Sequence, residues 1–515
     1  MKSLRIIVLL MSSLCLSLFS CKKGNILFPG DEIGTTIAPV SQLTAVATTQ
    51  KNELELSWTN PDDDNLLKIE ISYSPASASA TAAANPILLS ATKASQIKYK
   101  LVFPSGARYT ITLVAINKAG IKSSPVSVSA TPLTPVATDA TPLFLKRADT
   151  LMNSLVNLYL TGKPRDIWSS NYPQSDGFWD GAAVIWGHGG AFSGYAALKE
   201  AAEGIPAYKS KYENLYDTRL LTAIDKFRNT KNGKAEAYAV YPGTGDERFY
   251  DDNIWVGIDM VDLYLLTKNP AYLTRAKMVW TFVLEGTDNV MGGGVYWKEY
   301  GNSKNTCSTA PAAVLAAKLY QATKEAPFLK SAKDLYSWCK NVLQDPADKL
   351  YWDNVTLSDP SNPNSALNVA KQKYPYNSGQ PMQIASLLYT ITGESQYLSD
   401  AQAIAKSAYK KWFIPFNSYT LGESFQILEP GHVWFQAIMF RGFVELYKID
   451  GDRTYVTAYE KTLSNAWLSN CRNKSTNLLN GDFRGGTTQT SWEIIHEGAC
   501  LEMLARLASL ERDHL

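Results

Sequence analysis

Two adjacent acidic residues, Asp251 and Asp252, are the side chains whose type and spacing best suit bond-breaking chemistry. Hydrolysis of a glycosidic bond needs two carboxyl groups, one protonated to assist the leaving oxygen and one ionised to attack or to activate water. Neighbouring carboxylates repel each other, which raises the pKa of one of them. Adjacent carboxyl groups can lie roughly 5 to 6 Å apart, the separation expected of a retaining mechanism. The pair therefore predicts a double-displacement hydrolysis.

The same pair also has a structural explanation. Asp is favoured at the N-cap and in the first turn of helices, where it contributes about 1 kcal/mol. An apolar helix is expected to begin near Asn253, because apolar residues then recur on one helical face. These residues are Ile254, Ile258, Val261 and Leu265. Spacing alone therefore favours capping over catalysis.

Helical hairpins are expected to position the pair. Four Leu-Tyr dipeptides each close an apolar helix, and another aromatic residue follows eight positions after each Tyr. The dipeptides are Leu263-Tyr264, Leu319-Tyr320, Leu388-Tyr389 and Leu446-Tyr447, and the aromatic residues are Tyr272, Phe328, Tyr397 and Tyr455. Stacked hairpins bury a continuous core. Because the long connections are rich in Gly, Trp, Tyr and Asn, we expect a closed all-α (α/α)6 barrel over residues 144–512 rather than an open superhelix.

The segment 40–132 has a different pattern, in which apolar and polar residues alternate as in half-buried strands. The clearest stretches are 53–58, 67–71 and 109–116. Trp58 and Tyr109 resemble the core Trp and the tyrosine corner of fibronectin type III domains, which belong to the immunoglobulin-like β-sandwiches. The resemblance implies a spacer domain without chemistry. A Pro- and Thr-rich linker is expected over residues 133–143.

Residues 1–21 have the features of an export signal. Lys2 and Arg5 precede an apolar run of 14 residues, too short for a bilayer span of roughly 20. The run ends at Cys21, in a sequence that resembles a bacterial lipoprotein processing site and implies lipid attachment there. Residues 22–39 are expected to be a tether. The expected location is the cell envelope, on the outer membrane, with the facing side left open because Lys22 and Lys23 replace the acidic residues of surface-displayed lipoproteins.

The composition argues against several classes of function. The 515 residues carry a formal net charge of +2, so no nucleic-acid partner is expected. Beyond Cys15 and Cys21, four cysteines and four histidines are scattered without metal-ligand spacing. We therefore expect no metal, no cofactor, and a monomer that binds a neutral ligand.

The segment around the Asp pair, Tyr250-Asp251-Asp252-Asn253-Ile254-Trp255, resembles the signature of glycoside hydrolase family 76, the endo-acting α-1,6-mannanases. Three further segments resemble the family in the same order, and the likeness covers roughly residues 145–510. These segments are Gly292-Gly293-Gly294-Val295-Tyr296-Trp297, Lys304-Asn305-Thr306 and Tyr376-Asn377-Ser378-Gly379. The resemblance implies a retaining mannanase acting on mannan polysaccharide or oligosaccharide, with Asp251 as nucleophile and Asp252 as acid/base.

The resemblance also implies a set of substrate-binding residues. Aromatic side chains expected to stack on sugar rings are Tyr250, Trp179, Trp297 and Tyr376, and polar side chains expected to contact the sugar are Asn253, Lys304, Asn305 and Asn377. Val295-Tyr296 and Thr306-Cys307-Ser308 depart from the family pattern.

Three other functions stay open on the sequence alone. An unsaturated uronyl hydrolase on the same barrel would act on anionic sugars and need basic residues in its cleft. A lipid-anchored glycan-binding protein would bind sugar without cleaving it and would not need paired carboxylates. A transglycosylase would share the Asp pair and pass mannose to another sugar.

Overall fold

The computed structural model describes residues 36–48, 50, 52–75, 86–103, 107–132, 141–160, 167–174, 181–215, 217–231, 233–243 and 247–513. The chain divides into two compact units, Met1–Ala140 and Thr141–Leu515. The expected export signal with Cys21, most of the expected tether, residues 133–140 of the expected linker, and Trp179 lie outside the described residues. Among the described helices, none combines the length and apolarity needed to cross a membrane.

The N-terminal unit consists of β-strands. They are β1 (Ser41–Ala47), β2 (Glu53–Thr59), β3 (Leu66–Pro75), β4 (Ile87–Ser90), β5 (Gln96–Val102), β6 (Tyr109–Asn117) and β7 (Val126–Ala130). They form two antiparallel sheets, β1-β2-β5 and β4-β3-β6-β7. Alternate residues of β2, namely Leu54, Leu56 and Trp58, are buried in one core, and the Trp58 indole N–H donates to Asn60 Oδ1 at 2.7 Å. The three predicted strand segments lie in β2, β3 and β6.

Thirteen α-helices dominate the described part of the second unit. They are α1 (Leu143–Leu158), α2 (Ile185–Ala201), α3 (Pro206–Leu215), α4 (Asp217–Asp225), α5 (Tyr250–Thr267), α6 (Pro270–Glu285), α7 (Thr306–Thr323), α8 (Ala326–Leu343), α9 (Pro375–Thr392), α10 (Ser395–Trp412), α11 (Val433–Asp450), α12 (Thr454–Leu468) and α13 (Ile494–Arg512).

Helices α2, α5, α7, α9, α11 and α13 contact one another in a closed cycle, in that order, and we call them the ring helices. Outside the cycle, α6, α8, α10 and α12 pack against α5, α7, α9 and α11, and α1 packs against α13. The ring helix α7 is buried on nearly every side, whereas the outer helix α8 buries one face. Small residues allow the ring helices to approach closely: a Cβ on Gly194 of α2 would lie 2.6 Å from the carbonyl oxygen of Gly498 in α13.

The structure confirms the predicted hairpin repeat. The four Leu-Tyr dipeptides lie in the last turns of α5, α7, α9 and α11, and the four following aromatic residues lie in α6, α8, α10 and α12. After each of these four ring helices comes one left-handed residue, namely Lys268, Lys324, Gly393 or Gly451. The backbone N–H of this residue donates to the carbonyl of the repeated Tyr at 2.8 to 2.9 Å, which stops the helix and turns the chain.

Short strands connect the segments between helices. They are β8 (Asn171–Tyr172), β9 (Arg228–Asn229), β10 (Ala237–Tyr238), β11 (Ser303–Asn305), β12 (Asn354–Leu357), β13 (Leu367–Ala370), β14 (Phe413–Ser418), β15 (Glu423–Leu428) and β16 (Trp492–Glu493), with a 3₁₀ turn at Val290–Gly292. The sheet β11-β12-β13 joins the segments that precede α7 and α9. It therefore holds in place the residues that enter these two ring helices.

Candidate active site

The N-terminal turns of ring helices α2, α5, α7, α9 and α11, with the segments leading into them, open into one cleft of about 630 Å³. Its lining is Val184, Trp186, Val240, Phe249, Asp251, Asp252, Trp297, Ser303, Asn305, Cys307, Asp353, Asn354, Tyr374, Tyr376, Trp434 and Phe435. Helix N-termini carry unpaired N–H groups and a partial positive charge, so several helices direct a favourable field toward negative charge in this cleft.

The Asp pair lies in the first turn of α5. This helix begins at Tyr250, not near Asn253 as predicted, and its N-cap residue is Phe249, which has no side chain able to cap. Neither Asp251 nor Asp252 is therefore the N-cap residue, although both lie in the first turn, the other position that the structural explanation allowed. Asp251 Oδ1 accepts a hydrogen bond from the Asp252 backbone N–H at 3.0 Å.

Asp251 is held by two weakly polar donors. The Trp297 indole N–H donates to Asp251 Oδ2 at 3.1 Å, and the Cys307 thiol donates to the same oxygen at 3.5 Å. Burial raises the pKa of Asp251 to about 7, although these donors oppose the rise. Asp251 is 9% exposed, and among the described residues no ion pair is formed by either member of the Asp pair.

Asp252 is the more strongly perturbed of the two acids. Burial first, and then the charge of Asp251, raise its pKa well above the ordinary value of an Asp side chain. While Asp251 is ionised, repulsion between the two carboxylates therefore favours the protonated form of Asp252. One acid and one base stand side by side near neutral pH.

Aromatic rings form much of the cleft wall. Trp186, Phe435 and Tyr376 line the cleft. His432, which is not one of the lining residues, stacks between Trp186 and Phe435, and successive ring centroids in the row Trp186, His432, Phe435 and Tyr376 are 5.4, 4.2 and 4.1 Å apart. Trp297 is 41% exposed and meets Phe249 edge-on. Flat apolar faces of this kind suit the C–H faces of sugar rings. Sequence reasoning proposed Trp297 and Tyr376 but missed Trp186 and Phe435; the aromatic run at the start of α11 was an available signal for Phe435.

Two predicted sugar contacts, Tyr250 and Asn253, have structural roles instead. Tyr250 is 5% exposed, stacks on Phe282 with 4.5 Å between ring centroids, and lies against Gly286. Asn253 is fully buried, and its side chain accepts from the Tyr238 N–H at 2.7 Å and donates to the Tyr238 carbonyl at 2.9 Å. Neither side chain lines the cleft, because α5 begins earlier than expected and turns both toward the core.

Lys304 is also a structural residue. Its ammonium group is fully buried, pairs with Asp288 at 2.6 Å, and donates to the carbonyls of Val290 and Gly293 at 2.8 Å. These contacts leave no N–H for a sugar. The expectation that Lys304 binds substrate is therefore corrected: it supports the Gly-rich loop before Trp297.

The Gly-rich loop depends on its glycines. Gly293 and Gly294 have φ values of +130° and +80°, which L side chains rarely adopt. A Cβ on Gly294 would lie 2.6 Å from the ring of Trp338. The loop is thus pressed onto a buried indole and holds Trp297 beside Asp251.

Of the remaining predicted polar contacts, Asn305 lines the cleft and Asn377 does not. Asn305 Oδ1 accepts from Ser303 Oγ at 2.8 Å. Asn377 is buried and donates to Asp353 Oδ1 at 2.9 Å. Asp353, which the sequence analysis missed, lines the cleft as a third carboxylate. The polar residue after Trp352 on a long connection was its only sequence signal.

The cleft lining contains three carboxylates and, among the described residues, no Lys, Arg or His. Lys298, the residue after Trp297, pairs with Glu247 at 2.5 Å. No group of three or more His, Cys, Asp or Glu side chains in the described part of the chain is arranged to hold a metal ion. The cleft suits a neutral ligand with an apolar face.

Two adjacent carboxyl groups of unlike pKa, beside rings that suit a sugar, are what acid/base cleavage of a glycosidic bond requires. Fold and site together define a helical glycoside hydrolase. The family model of glycosyl hydrolase family 76 matches residues 145–509. The chain belongs to glycosyl hydrolase family 76.

Solved structures agree with this assignment. A family 76 glycoside hydrolase from a bovine Bacteroides thetaiotaomicron strain is 36% identical, with a TM-score of 0.68, over 92% of this chain and 100% of that one. The family 76 mannosidase Bt3792 from Bacteroides thetaiotaomicron VPI-5482 is 46% identical, with a TM-score of 0.68, over 72% and 100%. The GH76A α-1,6-mannanase from Salegentibacter sp. HEL1_6 is 25% identical, with a TM-score of 0.55, over 71% and 99%. None of the curated proteins compared with the chain matches it.

Proposed function

We propose that this protein is an endo-acting, retaining glycoside hydrolase that cleaves α-1,6-mannosidic linkages in mannan, with a catalytic domain of the (α/α)6 barrel type. The observation that carries the proposal is the Asp251 and Asp252 pair at the entrance of α5, where Asp251 is buried, Asp252 is half-buried, and neither has a cation partner among the described residues. The similar mannosidase and α-1,6-mannanase support the choice of linkage.

In this mechanism Asp251 is the nucleophile and Asp252 the acid/base. The Asp251 carboxylate attacks the anomeric carbon of a mannose unit while Asp252 gives its proton to the departing glycosidic oxygen. A covalent mannosyl-enzyme results. Asp252 then takes a proton from water, the water oxygen bonds to the anomeric carbon, and the ester bond to Asp251 breaks. The product keeps its configuration because the carbon has been inverted twice.

The competing functions fit the cleft less well. An unsaturated uronyl hydrolase binds an anionic sugar, yet the described lining offers it no cation. A glycan-binding protein gains nothing from placing a half-buried carboxyl group beside a buried one, because charge removed from water opposes folding. A transglycosylase would use the same acid/base pair and differs only in the acceptor.

We extend the proposal to the rest of the chain. The strand order β1-β2-β5 and β4-β3-β6-β7, with Trp58 in β2 and Tyr109 opening β6, supports a fibronectin type III-like sandwich as a spacer. Lipid attachment at Cys21 would then hold a monomeric enzyme at the cell envelope, on the outer membrane.

The first experiment is digestion of debranched, linear α-1,6-mannan by the protein lacking residues 1–21. We expect a ladder of mannooligosaccharides by chromatography, with the α-anomer as the first product by NMR. Asp251→Asn and Asp252→Asn should each lower the rate by a factor of about 10³ or more, because each removes one of the two required groups.

The matched control is Asp359→Asn, which makes the same chemical change at an exposed residue outside the cleft and should retain full activity. A β-anomer as first product would contradict the retaining mechanism. Wild-type protein that binds mannan over long incubation without releasing product would favour the glycan-binding function, and cleavage of an unsaturated uronide alone would favour the uronyl hydrolase.

A further inference from the structure

A cavity of about 610 Å³ lies in the outer layer of the helical unit, and we call it the outer cavity. Helix α1 contributes Phe144 and Arg147, helix α12 contributes Ser464 and Leu468, and the turn between β14 and β15 contributes Leu421. Both helices pack against α13. As the structure describes them, the outer cavity and the active-site cleft have no lining residue in common. The two are therefore separate sites.

Arg147 is a buried cation of the outer cavity, and no carboxylate in the described part of the chain pairs with it. Its side chain belongs to a residue that is 6% exposed, and its Nη1 donates to Ser464 Oγ at 3.0 Å. Other cations buried to this degree, such as Arg248 and Arg441, pair with a glutamate at 2.6 Å. Because a buried charge without a partner costs free energy, the Arg147 guanidinium is suited to receive an anion.

The guanidinium of Arg147 also keeps one hydrogen-bonding edge unused. Nη1 contacts Ser464, whereas Nε and Nη2 have no acceptor among the described residues. The Phe144 ring, whose centroid lies 5.0 Å from the guanidinium carbon, attracts the charge but offers no acceptor. Nε and Nη2 together form an edge that can bind both oxygens of one carboxylate. Neither atom is enclosed by the core, so this edge reaches the outer cavity.

The carboxylates that line the outer cavity are engaged with other groups. Glu511 accepts hydrogen bonds from the first two backbone N–H groups of α1 at 2.9 and 3.0 Å. Glu460 pairs with Arg453 at 2.5 Å, and Glu423 pairs with Lys461 at 2.6 Å. Burial lowers the pKa of the buried guanidinium, and the charge of Glu511 opposes this fall without forming an ion pair. An added anion would therefore compensate a charge that the lining leaves unpaired.

We propose that the outer cavity binds a carboxylate carried on an apolar body, with Arg147 holding both carboxylate oxygens and Phe144, Leu421 and Leu468 covering the body. Leu468 is 54% exposed, so apolar surface is available to such a ligand. The inference does not depend on the proposed function. The described lining of the active-site cleft has three carboxylates and no Lys, Arg or His, so the cleft repels the ligand that the outer cavity attracts.

The test is calorimetric titration of the protein lacking residues 1–21, which keeps every described residue. Octanoate is compared with octanamide, which has the same chain without the charge, and with inorganic phosphate, which has charge without the chain. We expect octanoate to bind about tenfold tighter than either. Arg147→Met should remove this preference, and Arg147→Lys should keep part of it because an ammonium has charge without the two-point edge. Arg484→Met, at an exposed Arg outside the outer cavity, is the control and should bind as the wild type does.

Urea denaturation separates a ligand-binding Arg from a structural one. Because Arg147 has no carboxylate partner among the described residues, Arg147→Met should not lower the unfolding midpoint without ligand. Octanoate should raise the midpoint of the wild type and not that of Arg147→Met. Loss of octanoate binding together with a lowered midpoint would show a structural role and overturn the inference. Absence of octanoate binding, equal binding of octanoate and octanamide or phosphate, or unchanged binding in Arg147→Met would overturn it as well.

Discussion

The two ends of the ring use buried carboxylates in opposite ways. At the N-terminal end of α5, Asp251 and Asp252 have no cation partner in the part of the chain that the structure describes. Toward the C-terminal ends, a second cavity of about 310 Å³ also has acidic residues, but cations accompany them. Asp262 pairs with Lys318 at 2.6 Å, and the buried Glu502 accepts from Arg441 at 2.6 and 3.0 Å.

The comparison shows that a shifted pKa does not by itself identify a catalytic acid. Burial raises the pKa of Asp259 to about 7, the same value as for Asp251, even though Arg441 opposes the rise from 3.4 Å away. Arg441 gives both of its closer N–H groups to Glu502, whose pKa falls because the charges of Arg441 and Arg506 outweigh burial. What distinguishes Asp251 is the absence of a cation and its place in the cleft.

The largest effect on stability is expected from removing the ion pair between Arg441 and Glu502. Arg441→Met leaves Glu502 buried beside one cation fewer, and removing one partner of a buried pair costs about 3 to 5 kcal/mol. Urea denaturation should therefore show a much lower unfolding midpoint. Lys330→Met, which removes an exposed partner of Asp334 at 2.6 Å, is the control and should leave the midpoint unchanged. An unchanged midpoint for Arg441→Met would mean that this pairing does not hold the ring together.

At the N-terminal end of α5, removal of the Asp251 charge should instead stabilise the protein. The pKa of Asp251 is about 7 in the folded state against an ordinary value of 3.8, so the folded state binds more protons between these values and the free energy of unfolding falls as pH rises from about 4 to about 7. The Asp251→Asn variant has no ionisable group at this position, so its free energy of unfolding does not fall in this way. A difference of one in pKa corresponds to about 1.36 kcal/mol. The rise in the pKa of Asp251 from 3.8 to about 7 therefore gives about 4 kcal/mol as the largest stabilisation expected for the variant.

This prediction is measured as the unfolding midpoints of wild type and Asp251→Asn at a series of pH values. The difference in favour of the variant should grow from pH 4 to pH 7 and then level off. A difference that stays constant across this range would contradict the raised pKa of Asp251.

The smallest effect is expected at the Cys307 thiol, and it concerns the pH dependence of activity. Cys307→Ala removes a donor that lowers the pKa of Asp251, so the acidic limb of kcat/KM should move up by about half a pH unit, a loss of about threefold on that limb. Cys307→Ser should restore the profile because a hydroxyl also donates. Cys339→Ala, at a buried thiol of α8, is the control for packing alone. Identical pH profiles of kcat/KM for the Ala and Ser variants would show that a hydrogen bond from residue 307 does not affect Asp251.

The sequence predicts the elements better than the site. Residues that recur with a fixed local spacing, such as each Leu-Tyr dipeptide and the aromatic residue eight positions after its Tyr, report a local geometry, and the structure has them in the expected helices. The two Asp residues were found because acid/base chemistry needs that residue type. Substrate contacts were harder to predict, because Asn253 and Lys304 offer the same hydrogen-bonding groups to a backbone carbonyl as to a sugar, and only the tertiary structure shows which one they meet.

Other features left no local signal. Asp353 comes from a connection without periodicity, and its side chain accepts a hydrogen bond from Asn377, a residue of another element. The start of α5 was misplaced because its N-cap is Phe249, a residue that cannot cap, whereas sequence rules expect Ser, Thr, Asp or Asn there. Long-range packing, which fixes this helix start, cannot be inferred from the residues near it.

The close packing of Gly194 against Gly498 has a consequence for how the protein is made. This contact joins the first and last ring helices, and contacts so distant in sequence form slowly and late. The ring therefore cannot close until α13 has been synthesised, and a chain that stops before Ile494 would leave apolar faces of α2 and α11 uncovered. Such a product should be cleared by proteases or aggregate, even though both acidic residues of the Asp pair would be present.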